Sequence, residues 1–283
     1  DHFHPWMGAQ GHSPFVWSVI GGIAATTGLT VTTGVTCPLI RIHPAIVAQA
    51  AATSANLLPD GRFRLGVGTG EALNEHILGD RWPPADVRLA MLAEAIHVMR
   101  KLWTGKPVTH RGMHYTVESA RIYTAPDYEI PVLVSAFGPN ALKLAAEHSD
   151  GWVTTSADGD LLTRYRDQGG TGPACGAMKV CWGQDEAKAR KLAHELWPTS
   201  GIPGQLHQDL PTPTHFEQAA QIVTASADAN ANVIFGAVID ESMGDSVRVT
   251  AIATGFGGRP RRRRVEAPVE DQDRPPVQPP SMT

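Results

Sequence analysis

The sequence has few cysteines and no long apolar run. Its 283 residues include three cysteines, Cys37, Cys175 and Cys181, and no C-x-x-C pair. This spacing excludes a disulfide framework and a cysteine zinc knuckle, and it is typical of a reducing cytoplasm. No run of about 18 apolar residues is present, so we expect no transmembrane helix. The first residues are Asp-His-Phe-His-Pro rather than a basic and then apolar segment, so we expect no secretory signal.

An excess of positive charge is also missing. The chain has 24 Lys and Arg against 28 Asp and Glu, a formal net charge of -4, which argues against general nucleic-acid binding. The hydrophobic fraction of 42% excludes wholesale disorder. A single α/β barrel of roughly 250 residues would nearly fill the chain. We therefore expect a cytoplasmic globular protein without nucleic-acid or membrane partners.

Strand-like and helix-like patterns alternate along the chain. We predict strands at 29–34, 63–68, 131–136, 150–154 and 178–182, and helices at 43–58, 84–103, 141–148 and 185–197, with a hairpin at 107–123. This alternation indicates βαβ units and a mainly parallel sheet. In such sheets the chemistry lies at the carboxyl ends of the strands.

Four predicted strand ends carry candidate functional residues: 1–6, 34–38, 66–75 and 135–139. The glycines Gly66, Gly68 and Gly70 resemble a dinucleotide fingerprint, but Glu71 occupies the position of its last glycine. They are also compatible with a strand that passes close to its neighbours. A third interpretation is that they let the backbone approach a flat ring, with Glu71 and Asn74 facing its polar edge.

His2 and His4 form an H-x-H pattern, which in a barrel can bind a metal. Pro5 follows at once, and no further ligands are clearly placed, so we predict no metal site. His2 is either a hydrogen-bonded structural histidine or a general base. Its neighbours Asp1 and Trp6 favour the general base.

Four motifs in this order resemble one protein family. They are Asp1-His2-Phe3-x-Pro5-Trp6, Thr33-Gly34-Val35-x-x-Pro38, His43-Pro44-Ala45-x-x-Ala48-Gln49, and the unbroken run from Gly66 to Glu75. Together they resemble the luciferase-like (bacterial-luciferase superfamily) oxidoreductases that use a deazaflavin coenzyme, in the branch of the glucose-6-phosphate dehydrogenase-like enzymes. The resemblance covers about residues 1–220.

The resemblance implies a TIM barrel that binds coenzyme F-420 (8-hydroxy-5-deazaflavin) at the carboxyl ends of its strands. It implies hydride transfer between a small alcohol-type substrate and that coenzyme, and a homodimer for the full-length relative. His2 would be the base that takes the hydroxyl proton, and Trp6 would pack on the reacting centre. Glu71 would protonate or polarise N1 of the ring. The alternative activity is that of an FMN-dependent luciferase-like monooxygenase.

The same resemblance implies a set of residues that hold the coenzyme. Gly34 and Val35 match the place of a non-proline cis peptide behind the ring, and Cys37 replaces a threonine that usually faces it. A helix that opens near Pro139 would offer free N–H groups to phosphate. The full set is Asp1, Gly34, Val35, Cys37, Glu71, Asn74, Ala136, Phe137, Gly138 and Pro139.

Two departures from the family pattern affect the interpretation. The family has a strand, a helix and a second strand before the position of Asp1, so we predict an incomplete (β/α)8 barrel that lacks its first elements. His2 is then expected at a frayed terminus. The sugar-phosphate enzymes carry a lysine where this chain has Asp158, and a carboxylate there would repel a phosphate. Glucose 6-phosphate is therefore a doubtful substrate.

The C-terminal end follows a different pattern. Two β-runs, 233–240 and 247–253, are joined by a turn at 241–245, and they resemble the end of the tubulin-like cell-division GTPase FtsZ. We predict three parts: a truncated barrel at 1–220, an FtsZ-like β-hairpin at 221–257, and a disordered Arg- and Pro-rich tail at 258–283. This interpretation makes the chain a chimera, with a fragment of a cell-division protein as the non-enzymatic alternative.

Overall fold

The computed structural model describes residues 1–156, 158–202, 204–226, 232–237 and 249–254. The helices are α1 (Val16–Thr26), α2 (Pro44–Leu57), α3 (Ala72–Glu75), α4 (Ala85–Trp103), α5 (Pro139–His148), α6 (Gly159–Asp167), α7 (Glu186–Leu196), α8 (Gly204–Asp209) and α9 (Pro213–Ser226). The strands are β1 (Val31–Thr32), β2 (Phe63–Val67), β3 (Val108–Arg111), β4 (Thr116–Ala120), β5 (Val132–Ser135), β6 (Gly151–Thr154), β7 (Ala174–Gly176), β8 (Asn232–Ala237) and β9 (Val249–Thr254). No helix within these ranges is long and apolar enough to cross a membrane.

Five strands form one parallel sheet in the order β1-β2-β5-β6-β7. The register pairs Val31 with Phe63, Leu65 with Val132, and Leu133 with Gly151. Every neighbouring pair in this sheet is parallel, so the predicted βαβ organisation is confirmed. The carboxyl ends of the strands consequently meet along one edge, where the loops after β1, β2, β5 and β6 lie.

The core forms where α2 and α4 cover the sheet. Pro44 occupies the first turn of α2, where its missing N–H is tolerated, and the His43 ring caps that turn by accepting from Ala45 N at 3.1 Å. The apolar residues of α4 recur every three or four positions and are buried at Leu92, Ala95, Ile96, Met99 and Leu102. Strand β2 is buried on both faces through Leu65, Gly66 and Val67, as in a parallel sheet covered by helices.

The predicted strand at 178–182 is wrong. The strand in this part of the chain is β7, which ends at Gly176. Met178, Val180 and Trp182 are 71%, 80% and 86% exposed. Their alternation imitates a half-buried strand, yet they have no sheet face to pack against. Helices α1, α3, α6, α8 and α9 were not predicted from the sequence. In α1 the pair Gly21-Gly22 weakens the helical pattern.

The two terminal β-runs pair with each other. β8 and β9 are antiparallel, with Asn232 opposite Thr254 and Ala237 opposite Val249. The two predicted β-runs are therefore paired, with strand ends that differ by a few residues. The predicted turn at 241–245 and the predicted tail at 258–283 lie outside the described residues. The boundary near residue 220 stays a prediction.

Gly66, in β2, and Gly68, just after it, let the segment that follows β1 pass unusually close to the β2 backbone. A Cβ on Gly66 would lie 1.9 Å from the backbone oxygen of Thr33, and a Cβ on Gly68 would lie 2.8 Å from Cγ2 of Val35. Thr33 uses this proximity, because its hydroxyl donates to Gly66 O at 2.7 Å and accepts from Gly66 N at 2.9 Å. The close-packing interpretation of these glycines is confirmed.

We expect Gly66→Ala to destabilise the protein by about 3 kcal/mol, because backbone atoms have to move to admit the methyl group. Urea unfolding measures the change. Gly21→Ala is the matched control, since a Cβ there meets nothing within 4 Å and alanine favours the helix. Equal stability of the two variants would contradict the close contact between Gly66 and Thr33.

Candidate functional site

The N-terminal segment is bonded to the ends of two neighbouring strands. The amino group of Asp1 donates to Val35 O at 3.2 Å, beyond β1. Phe3 N and His4 N both donate to Asn74 Oδ1, at 2.8 and 3.2 Å, beyond β2. One amide side chain thereby satisfies two backbone donors 70 and 71 positions away. This segment lies at the carboxyl edge of the sheet.

His2 is held in a defined orientation, so the expectation of a frayed terminus is wrong. Its carbonyl accepts from Ser13 Oγ at 2.8 Å, and its Nδ1 lies 3.2 Å from His4 O. A carbonyl can only accept, so Nδ1 carries the ring proton and Nε2 keeps a free lone pair. That Nε2 is 3.9 Å from Glu71 Oε2, and the ring lies 4.9 Å from the ring of Trp6.

Burial moves the proton affinities of His2 and Glu71 in opposite directions. It lowers the pKa of His2 to about 4. It raises the pKa of Glu71, although a hydrogen bond from Asn74 Nδ2 to Oε2 at 3.4 Å opposes this. Both side chains remain 28% exposed. The site therefore combines a neutral imidazole with a carboxyl group that retains its proton more readily than in water.

Trp6 connects the site to the C-terminal helices. Its ring meets Phe216 of α9 at 5.1 Å and His207 of α8 at 5.5 Å, both nearly edge-on. These contacts belong to a second hydrophobic cluster, which joins Leu73, Ile202, Leu206, Leu210, Phe216, Ala219 and Ala220. Trp6 thus presents one side to His2 while the cluster holds the other.

A buried ion cluster lies beside these residues, and sequence reasoning missed two of its members. Arg41, in the loop before α2, contacts the carboxylates of Asp1 and Glu75, each at 3.3 Å. Both acidic side chains are fully buried, and the arginine is 6% exposed. Glu75 falls inside the motif 66–75, but nothing in the sequence distinguishes Arg41 from a surface arginine.

The residues predicted to lie behind the coenzyme ring are close together. The peptide bond between Gly34 and Val35 is cis, as the family resemblance implies. Cys37 is buried, and a Cβ on Gly70 would lie 2.5 Å from its sulfur. Burial raises the pKa of the Cys37 thiol, so it remains protonated at neutral pH. Cys37 therefore packs beneath Gly70.

The fourth predicted stretch divides into a buried and an exposed part. Ala136 is buried, and its carbonyl accepts from Trp152 Nε1 at 2.9 Å. Phe137 is 44% exposed. Helix α5 begins at Pro139, and Gly138 at its N-cap supplies no side-chain cap to the first turn. The end of β5 adjoins the end of β2, because a Cβ on Gly68 would lie 3.5 Å from the Cβ of Ser135.

His4 has a structural contact rather than a place beside the imidazole of His2. Its Nδ1 donates to Leu73 O at 2.8 Å, and its ring stacks on His76 at 5.7 Å. Within the described part of the chain, no three His, Cys, Asp or Glu side chains are grouped so that they could hold a metal ion.

Asp158 caps a helix. Its carboxylate accepts from Asp160 N at 2.8 Å and from Leu161 N at 3.3 Å, in the first turn of α6. This interaction stabilises the start of the helix by about 1 kcal/mol. The carboxylate thus lies in the loop after β6, at the edge of the sheet where the other candidate residues lie.

The sequence profile of the luciferase-like monooxygenases matches residues 1–247. An F420-dependent glucose-6-phosphate dehydrogenase from Microbacterium testaceum is 43% identical over 165 residues, 58% of this chain and 49% of the relative. An F420-dependent hydroxymycolic acid dehydrogenase from Mycobacterium tuberculosis is 36% identical over 234 residues, 78% of this chain and 62% of the relative. The chain spans about half the length of most of these curated relatives.

A solved structure shows the same fold. It is an F420-dependent secondary alcohol dehydrogenase in complex with an F420-acetone adduct, 33% identical, with a TM-score of 0.71 over 79% of this chain and 71% of that one. The curled parallel sheet therefore corresponds to part of a TIM barrel, as predicted. The profile match extends to residue 247 and so includes β8, while the FtsZ resemblance stays an untested prediction.

The lowered pKa of His2 predicts a pH dependence of stability. The unfolded chain binds a proton near pH 6.5 and the folded chain only near pH 4, so protonation favours unfolding in that window. We expect the wild type to lose about 3 kcal/mol more than His2→Gln between pH 6.5 and 4. Urea unfolding across this range measures the difference. Parallel curves for the two proteins would show that His2 is not buried as described.

Proposed function

The chain belongs to the luciferase-like monooxygenase family, and we propose that it transfers a hydride between an alcohol substrate and the deazaflavin coenzyme F-420. The observation that carries the proposal is the pairing of His2 Nε2 with the Glu71 carboxyl group, 3.9 Å apart at the carboxyl edge of the sheet. The names of the relatives support the choice of coenzyme, since three of the most similar proteins are F420-dependent dehydrogenases.

The residues at this edge fit such a coenzyme. Among the residues that the structure describes, the buried Asp1 carboxylate contacts the guanidinium of Arg41 and accepts no hydrogen bond, and Asn74 holds an amide beside Glu71. The first turn of α5 has no side-chain cap at Gly138, and free N–H groups at a helix start attract phosphate. The coenzyme would supply the hydride acceptor. Asp1 and Asn74 would hold its ring and α5 its phosphate tail.

His2 would take the substrate's hydroxyl proton. Its Nδ1–H is committed to the carbonyl of His4, so Nε2 is the available base. The burial that lowers its pKa keeps the imidazole neutral at pH 7 with Nε2 unprotonated, and it also makes Nε2 a weaker base than a free imidazole. Trp6 packs against the ring and limits its movement.

Glu71 would act as the acid that complements the base His2. Burial raises the pKa of its carboxyl group, which favours the protonated form. A protonated carboxyl can donate where negative charge develops as a hydride arrives. An acid and a base whose pKa values have been moved apart by burial are the usual arrangement for such a reaction.

We propose that the substrate is an uncharged secondary alcohol rather than a sugar phosphate. The names of the relatives span glucose 6-phosphate, hydroxymycolic acid and secondary alcohols, so they leave the substrate open. Asp158 lies in the loop after β6, and a carboxylate there disfavours a phosphate. Its bonds to two backbone N–H groups hold it in that loop.

We expect Glu71→Gln and His2→Ala each to lower kcat by roughly 10² to 10⁴ while the coenzyme Kd changes much less. Removing a proton donor or acceptor affects the transition state more than the bound ground state. Absorbance changes of F-420 give the rate, and fluorescence quenching gives the affinity. Glu118→Gln and His148→Ala, both at exposed positions, are the matched controls. An unchanged kcat in both site variants would refute the assignment.

Substrate choice is tested with the wild type and Asp158→Asn. We expect 2-propanol to reduce F-420 and glucose 6-phosphate to give no useful rate. Asp158→Asn keeps an N-cap but removes the charge, so it should improve the KM of anionic substrates and leave that of 2-propanol unchanged. Efficient turnover of glucose 6-phosphate by the wild type would contradict this choice. Turnover with FMN and oxygen but not with F-420 would favour the monooxygenase alternative.

A further inference from the structure

We propose that Arg41 is a positioning residue that fixes His2 against Glu71 by holding Asp1 and Glu75 at the same time. Its effect on catalysis rests on the proposed function, but its effect on the position of His2 does not. Arg41 forms no hydrogen bond or ion pair with His2 or Glu71, all three of which lie in the described part of the chain. It acts through the residue before His2 and through the end of the short helix that follows Glu71.

The contacts of Arg41 join three separate parts of the chain. Its backbone N–H donates to Glu75 Oε2 at 2.9 Å, and its Nε donates to Glu75 Oε1 at 3.3 Å. Its Nη2 donates to the carbonyl of Asp1 at 3.1 Å and lies 3.3 Å from the Asp1 carboxylate. The guanidinium thus binds one partner through Nε and the other through Nη2.

The covalent connections turn these contacts into a constraint on the site. Asp1 directly precedes His2, so a fixed Asp1 carbonyl limits where the imidazole can lie. Glu71 is the N-cap of α3, and Glu75 is the last residue of that four-residue helix. Arg41 therefore holds one end of each segment that carries a proposed proton-transfer group.

The chemistry of the cluster calls for an arginine. Two fully buried carboxylates need a cation, and a planar guanidinium with donors on two edges can bind both in fixed directions. A lysine supplies the same charge from a single nitrogen on a flexible stem. Arg41→Lys therefore separates the geometric role of Arg41 from its charge.

Arg41→Lys is tested first in the absence of coenzyme and substrate, by NMR titration of the labelled His2 ring. The groups that face this ring are Glu71, the amino group of Asp1, the carbonyl of His4 and, at longer range, Arg41. Since the charge is kept, a change reports how the ring is held. We expect the pKa of His2 to rise from about 4 toward 6.5 as the segment loosens and water enters. Arg111→Lys, in an exposed pair with Glu118, is the control.

A second variant covers the case in which Arg41→Lys fails to fold. Glu75→Gln leaves Arg41 paired with Asp1, so the one remaining buried carboxylate still faces a cation. It weakens the hold on α3, so we expect the backbone amides of Phe3 and His4 to exchange hydrogen faster. Unchanged exchange in Glu75→Gln, or an unchanged His2 pKa in a folded Arg41→Lys, overturns the proposal.

Turnover gives an independent readout. We expect Arg41→Lys to lower kcat by about 10- to 100-fold, with the coenzyme Kd nearly unchanged, because a small misplacement of a reacting group affects the transition state most. If the wild type does not reduce F-420 with any alcohol, the proposed function fails and the NMR result still decides the role of Arg41. If the wild type is active and Arg41→Lys matches it in kcat and His2 pKa, only the role of Arg41 fails.

Discussion

The near contact between residues 33–37 and residues 66–70 is the constraint on which the rest of the site depends. Two backbone segments approach so closely that a methyl group on Gly66 would overlap a carbonyl oxygen. This proximity places Val35 within reach of Asp1 and carries the loop that contains Arg41 to the side of α3. Gly66 in β2 and Gly68 just beyond it therefore determine where the acidic, basic and histidine side chains meet.

Burial then determines the proton affinities of those side chains. The same exclusion of water that lowers the proton affinity of His2 raises that of Glu71, because each group disfavours its charged form. Asp1 and Glu75 avoid the full penalty through Arg41. The single guanidinium of Arg41 opposes the rise that burial causes in the pKa of Glu75, and at Glu71 the hydrogen bond from Asn74 opposes the same kind of rise.

Much of the architecture could be predicted from the sequence, and the reasons differ between elements. The apolar period of α4 and the buried run of β2 are strong local signals. The motif at 66–75 drew attention to Glu71, which lies 3.9 Å from His2, while its place beside a coenzyme ring stays a prediction. The strand predicted at 178–182 was wrong because the alternation of apolar and polar residues does not show whether a neighbouring sheet is available to pair with. The buried contacts of Arg41 could not be predicted, because the sequence does not distinguish a buried arginine from an exposed one. The support of Trp6 by Phe216 depends on packing between residues far apart in the chain.

That last contact has a consequence for the order in which the protein acquires its structure during synthesis. Gly8 N donates to Glu217 Oε1 at 3.1 Å across 209 positions, and Trp6 lies against α8 and α9 in the same region. At typical translation rates the ribosome needs roughly 10 to 40 s to make the intervening chain. The segment that carries Trp6 is thus made before the helices against which it packs, and one side of Trp6 stays uncovered until the helices beyond residue 200 emerge. During that interval the nascent chain presents an apolar indole that molecular chaperones can bind.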